Sequence, residues 1–167
     1  AGVRALGGGV AMTEIHEIDL LSWFFGRPDK VFAVGGRIGK YEIDVEDTFT
    51  ASMAYPLKTG LLPVALTMSF IQNPPSRRFV VNGEDGIALL ELPKVRLTIF
   101  DPDGSERECL DISGFDRNRM FMDEISQFLD CLNTGNDSLT SLANMKDGQL
   151  TAFAICDSLE TGSPEKP

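Results

Sequence analysis

Two neighbouring stretches in the middle of the chain alternate strictly between apolar and small polar residues. In DTFTASMAY, Phe49, Ala51, Met53 and Tyr55 point one way and Thr48, Thr50 and Ser52 the other. LLPVALTMSF repeats the pattern, with Val64, Leu66, Met68 and Phe70 against Ala65, Thr67 and Ser69. A period of two is the period of a strand with one buried face, and the turn PLKTG between the segments makes them an antiparallel hairpin. RRFVVNG, GIALLEL and KVRLTIF extend the run across the turns NGEDG and LPK. After DPDGS, ERECLDI adds an edge strand. Ahead of the hairpin, KVFAVGGRIG (30–39) is strand-like, and its glycine pair signals a bulge or a close backbone approach.

The period changes at both ends. Ala11, Ile15, Ile18, Leu21 and Phe25 recur at helical spacing over 10–25, and Gly26 with Pro28 stops that helix. DRNRMFMDEISQFLDCLNTG carries Met120, Phe121, Ile125, Phe128, Leu129 and Leu132 on one stripe, with Gly135 as its C-cap. A last helix follows, with Leu150, Phe153, Ala154 and Ile155 expected inside and Gly162 closing it. One helix, about six strands and two helices make an α+β fold: an open, mainly antiparallel sheet with helices packed on one face. With 167 residues, 43% of them hydrophobic, a single domain over 1–167 is expected. The other face of the sheet mixes Ser, Thr and Ala with apolar residues, which suits a second copy of the chain.

Charge narrows the function classes. Twenty-five acidic residues against 15 basic ones, scattered along the chain, leave a net charge of -10 and no basic stripe for nucleic acid. No apolar run approaches the roughly 20 residues that span a bilayer, so no membrane partner is expected. Cys109, Cys131 and Cys156 are odd in number and far apart, and they read as reduced residues of a cytoplasmic protein. Without an initiator Met, and running at once into a glycine loop, the chain reads as a piece of a longer one.

Chemistry has few places to sit. His16 is the only histidine, and it lies among Glu14, Glu17 and Asp19 in GGGVAMTEIHEIDLLSWFFG. His16 and Asp19, three apart on a helix, share a face, and a carboxylate beside an imidazole can orient it for acid–base work. An ordinary helix salt link fits the same spacing. The run GGG (7–9) follows no strand, and GGRIGKYE misses the Walker spacing, so neither is a phosphate cradle. DVED (44–47) reads as a solvated acidic loop, although carboxylates of this kind also suit hard metals. In NPPSRR, prolines stiffen a surface turn ahead of Arg77, whose guanidinium suits a carboxylate or phosphate. The closing PEKP follows a helix cap, with no strand before it to present its lysine. No metal centre is expected, because one histidine without a second ligand cluster holds no catalytic ion.

Five segments in order carry a resemblance: GGGVAMTEIHEIDLLSWFFG, EIDVEDTF, SFIQNPPSRRFVVNGEDGIALLE, DRNRMFMDEISQFLDCLNTG and DGQLTAFAICDSLETG. Together they cover nearly the whole chain, which resembles the C-terminal domain of the Gfo/Idh/MocA family of NAD(P)-dependent oxidoreductases. The resemblance implies a fold like the glyceraldehyde-3-phosphate dehydrogenase C-terminal domain, behind an N-terminal Rossmann domain that would hold NAD or NADP. It implies a sugar, cyclitol or nucleotide sugar as substrate, with His16 as the catalytic proton carrier. Glu14, Asp19 and Arg77 are then expected to bind substrate, and no residue of this chain to bind the cofactor. Homodimers or homotetramers through the sheet are expected, and the chain alone is expected to be inactive. Inositol-dehydrogenase-like members carry an aspartate where Met12 stands, so their proton relay is not fully reproduced. The rival reading is a module that dimerises through its sheet, or binds a ligand, without redox chemistry.

Overall fold

The computed structural model describes residues 1–112 and 114–167. The fold is α+β and falls into two compact units, Ala1–Ile71 with Leu139–Pro167, and Gln72–Ser138. Among the described residues, no helix is long and apolar enough to cross a membrane.

The first unit is built on an antiparallel sheet of β1 (Lys30–Gly36), β2 (Thr48–Leu57) and β3 (Gly60–Ser69), in that order. The alternation read from the sequence sets its faces: Phe49, Ala51, Met53 and Tyr55 are buried from β2, and Leu66 and Met68 from β3. Val31 and Ala33 add the same face of β1. Burying Tyr55 pushes its phenol up to about 12. Opposite lie α2 (His16–Phe25), which buries Ile18 and Leu21, and α4 (Leu142–Thr161), which buries Ala152, Ala154 and Ile155. Helix α4 packs on both β1 and α2. Phe153, expected inside, is 48% exposed, because helical spacing puts it opposite the buried face of Gly148, Thr151, Ile155 and Ser158.

Two edges of this unit are closed by contacts that the pattern did not predict. Ser158 Oγ, fully buried, accepts from Ala33 N at 2.9 Å and donates to Ser163 O at 2.6 Å. The closing PEKP does meet a strand, since Val31 and Glu165 exchange backbone hydrogen bonds at the edge of β1. The strand expected over 30–39 stops at Gly36. Gly35 runs so close to β2 that a β-carbon there would stand 2.2 Å from Thr48 O.

The second unit is a four-stranded antiparallel meander: β4 (Arg78–Gly83), β5 (Gly86–Glu91), β6 (Arg96–Phe100) and β7 (Glu106–Asp111). Among the described residues the strands number seven rather than about six, and they form sheets of three and four. The turn after β6 is held by Asp103, which accepts from both the amide and the hydroxyl of Ser105. Helix α3 (Arg117–Thr134) starts at Asp116, whose carboxylate accepts from Asn118 N, and ends at Gly135 in the left-handed region.

Candidate functional site

The helix read over 10–25 is two helices. The segment α1 (Val10–Thr13) is a single turn, and α2 begins at His16 after a break at Glu14 and Ile15. Glu14, at φ -102° and ψ 37°, has left the helical region, and the backbone ladder resumes only with Asp19 N bonding Ile15 O at 2.9 Å. Helical periodicity runs straight through the break because the apolar residues on either side still face the same core. The consequence is positional. His16 stands at the first residue of α2, exposed, and not in mid-helix.

Around it, the expected companions divide. Glu14 is exposed within the break. Asp19 is half-buried and leans on α4: its Oδ1 lies 2.9 Å from where a β-carbon on Gly148 would stand. Met12, in the position that resembles an aspartate in inositol-dehydrogenase-like members, is half-buried, and its sulfur accepts from Gln149 Nε2 at 3.8 Å. Arg77 belongs to the second unit, where its carbonyl accepts from Leu92 N ahead of β4.

The acidic loop is not the solvated segment that its composition suggests. Asp44 Oδ1 accepts from Arg4 N at 2.7 Å, and Glu46 Oε1 from Ala11 N at 3.1 Å. Asp47, with no accessible surface, accepts from Ile38 N at 3.0 Å and from Gly39 N at 2.8 Å. Burial is the strongest single influence on the Asp47 carboxyl and raises its pKa. The bonds from Ile38, Gly39 and Thr48, with the charge of Arg37, together outweigh burial and hold it below its ordinary value. Three carboxylates in four residues thus tie down three separate pieces of backbone.

The glycine run is closed to a ligand phosphate. Gly7 N bonds Arg4 O, Gly8 N bonds Val3 O, and Gly9 N bonds Ala1 O, all within 3.0 Å. Val10 N goes to the backbone carbonyl of Glu46 at 3.1 Å, and Ala11 N to its side chain. A phosphate cradle needs such donors unspent. The run therefore does not fit a dinucleotide phosphate.

Beside the run opens a cavity of about 460 Å³, lined among others by Gly7, Gly8, Met12, Arg37, Glu46 and Cys156. Burial, with Glu46 and other acids nearby, pushes the Cys156 thiol up to about 11. Among the described residues, no three His, Cys, Asp or Glu side chains gather as metal ligands.

A profile of the GFO/IDH/MocA C-terminal domain matches residues 2–89, more than half of the 167-residue chain. The chain belongs to this family. The match takes in the whole of α1 and α2, the acidic loop and the hairpin β2–β3. UDP-N-acetylglucosamine 3-dehydrogenase from Acidithiobacillus ferrooxidans is similar in fold at 24% identity and TM-score 0.76, over 95% of this chain and 50% of that one. The WlbA dehydrogenase from Bordetella pertussis, in complex with NADH and UDP-GlcNAcA, superposes at 18% identity and TM-score 0.76. That superposition covers 99% of this chain and 48% of its own. An oxidoreductase domain protein from Kribbella flavida gives TM-score 0.79 at 14% identity, over 96% and 50%. No curated protein matches. This GFO/IDH/MocA domain spans about half the length of the solved chains that it resembles.

Proposed function

We propose that this domain is the substrate-binding, histidine-bearing half of an NAD(P)-dependent oxidoreductase acting on a sugar, cyclitol or nucleotide-sugar hydroxyl or carbonyl. The observation that carries the reading is the break at Glu14 and Ile15, which presents the only histidine, exposed, at the head of α2. Membership of the family and two similar folds that handle UDP-linked sugars support the substrate class. A nicotinamide held by the rest of a longer protein would supply the hydride acceptor. As the C–H electron pair leaves the alcohol carbon, the hydroxyl proton passes to the His16 imidazole, and reduction returns it. Asp19, three residues along α2, and Glu14, in the break before it, are the carboxylates assigned to sugar hydroxyls. Arg77, in the second unit, carries a guanidinium of the kind that pairs bidentately with phosphate.

The outward face of β1–β3 is the proposed subunit surface. Its cross-strand rows are Phe32, Ser52 and Ala65, then Val34, Thr50 and Thr67, which are small or apolar enough to pack on their own copy. Three free cysteines fit a reducing, cytoplasmic setting.

The test is His16→Ala in the full-length protein. Loss of a positioned proton carrier should lower kcat on the order of 10²–10⁴-fold. A variant turning over near the wild-type rate overturns the assignment and favours a binding or dimerisation module. The isolated chain should show no turnover with either nicotinamide cofactor.

A further inference from the structure

We infer that Glu46 is a positioning residue for His16: it clamps the start of the helical segment that delivers the imidazole. The inference rests on the acid–base reading of His16 given above. A helix start leaves backbone N–H groups without partners, and a side chain at the N-cap normally takes one of them. The N-cap of α1 is Gly9, which has no side chain. Glu46 serves instead, from 35 residues along the chain, and it does so twice: its carbonyl takes Val10 N and its carboxylate takes Ala11 N. Two acceptors from one residue fix the direction of α1 as well as its place. A single turn of four residues cannot hold that direction by itself, because so short a helix has too few internal bonds.

The clamp has a rigid base. Val45 and Asp47 on either side of Glu46 are buried, and Asp47 is bonded to the backbone beyond β1. The contact is also close. A β-carbon on Gly9 would stand 2.3 Å from Glu46 Oε1, and Gly9 has φ +112°, which side chains rarely adopt. Glycine at position 9 and glutamate at position 46 are two halves of one fitting. From the clamp, Glu14 N bonds Val10 O, and the chain then turns into α2 with His16 as its first residue. On the far side, Ile18 is locked in the core. His16 is therefore held between a carboxylate clamp and a core anchor.

The experiment is a set of variants of the full-length protein, each checked for folding by its thermal midpoint. Glu46→Ala should lower kcat about tenfold to a hundredfold, the scale on which a misplaced catalytic group acts, with KM within about twofold. Glu46→Gln keeps an acceptor oxygen and should recover most of the rate, a rescue that general destabilisation would not give. Gly9→Ala attacks the contact from the other side and should reproduce the loss even if Glu46→Ala folds poorly. In a His16→Ala background, Glu46→Ala should cost little more, since the two act as one unit. A folded Glu46→Ala with wild-type kcat, or a full further loss on top of His16→Ala, overturns this inference while the reading of His16 stands. His16→Ala at the wild-type rate overturns both.

Discussion

Three acidic side chains within four residues, Asp44, Glu46 and Asp47, tie down three separate pieces of backbone. Asp44 holds the chain ahead of the glycines, Glu46 holds the start of α1, and Asp47 holds the backbone that follows β1. The Asp47 carboxyl titrates below the ordinary carboxylate value in the folded protein. Its contribution is then fully present above the unfolded value near pH 4, and it is lost as pH falls through the lower folded value. Asp47→Asn leaves one buried donor poorly matched and should cost about 1–3 kcal/mol at neutral pH. Urea midpoints of wild type and variant should stay apart from about pH 7 to 5 and converge below about pH 4. A gap that holds unchanged into strong acid would show that charge at Asp47 contributes nothing.

At the scale of elements, the first unit depends on how closely α2 and α4 pack and on how α4 is joined to β1. Gly148 lets the helices approach until Asp19 Cα lies 3.2 Å from the place of a β-carbon on it. Gly148→Val should force them apart, at about 1–3 kcal/mol for overpacking, and lower the thermal midpoint. Asp19 moves with α2, so on the proposed function kcat/KM of the full-length protein should fall as well. An unaltered melt would mean that the two helices slide without cost. Ser158 is the second joint: its hydroxyl accepts from the Ala33 N–H on β1 and donates to Ser163 O. Ser158→Ala orphans a buried donor and should cost about 1–3 kcal/mol, read by chemical denaturation. Helix α3 stands in contrast. Its stripe of Met120, Phe121, Ile125, Phe128, Leu129 and Leu132 is at the helical spacing expected, yet each of these residues is about half exposed or more.

At the scale of the molecule, the fold is that of larger proteins about twice this length, and the proposed assembly follows from the faces of its first sheet. One face of β1–β3 is spent on α2 and α4. The opposite face carries Phe32 at 39% and Val34 at 64% exposure beside Thr50 and Ser52. A two-fold contact there sets Val34 against the partner's copy of the same surface. Val34→Glu should therefore convert the proposed dimer to monomer in light scattering, since like charges would be buried face to face. If the variant keeps the mass of the wild type, assembly does not use this face.

The strands, their faces and the α+β order were legible in the amino-acid sequence because alternation and helical spacing are properties of residues two to four positions apart. His16 stood out by being the only histidine, and the glycines could be discounted as a phosphate loop by spacing. The break ahead of His16 was hidden, since apolar spacing continues through Glu14 and Ile15 while the backbone ladder does not. The work of the acidic loop was hidden too. Composition marks three carboxylates as a solvated run, and nothing local says which N–H each will meet 40, 35 or 9 residues away. One hint lay in the glycines: a helix that begins after Gly9 lacks its own cap, so an acceptor must come from elsewhere. Pattern along the chain determined which residues face the core. Which carboxylate holds the segment ahead of His16 was decided only in three dimensions, where closing the loop brings Glu46 against a residue with no side chain in the way.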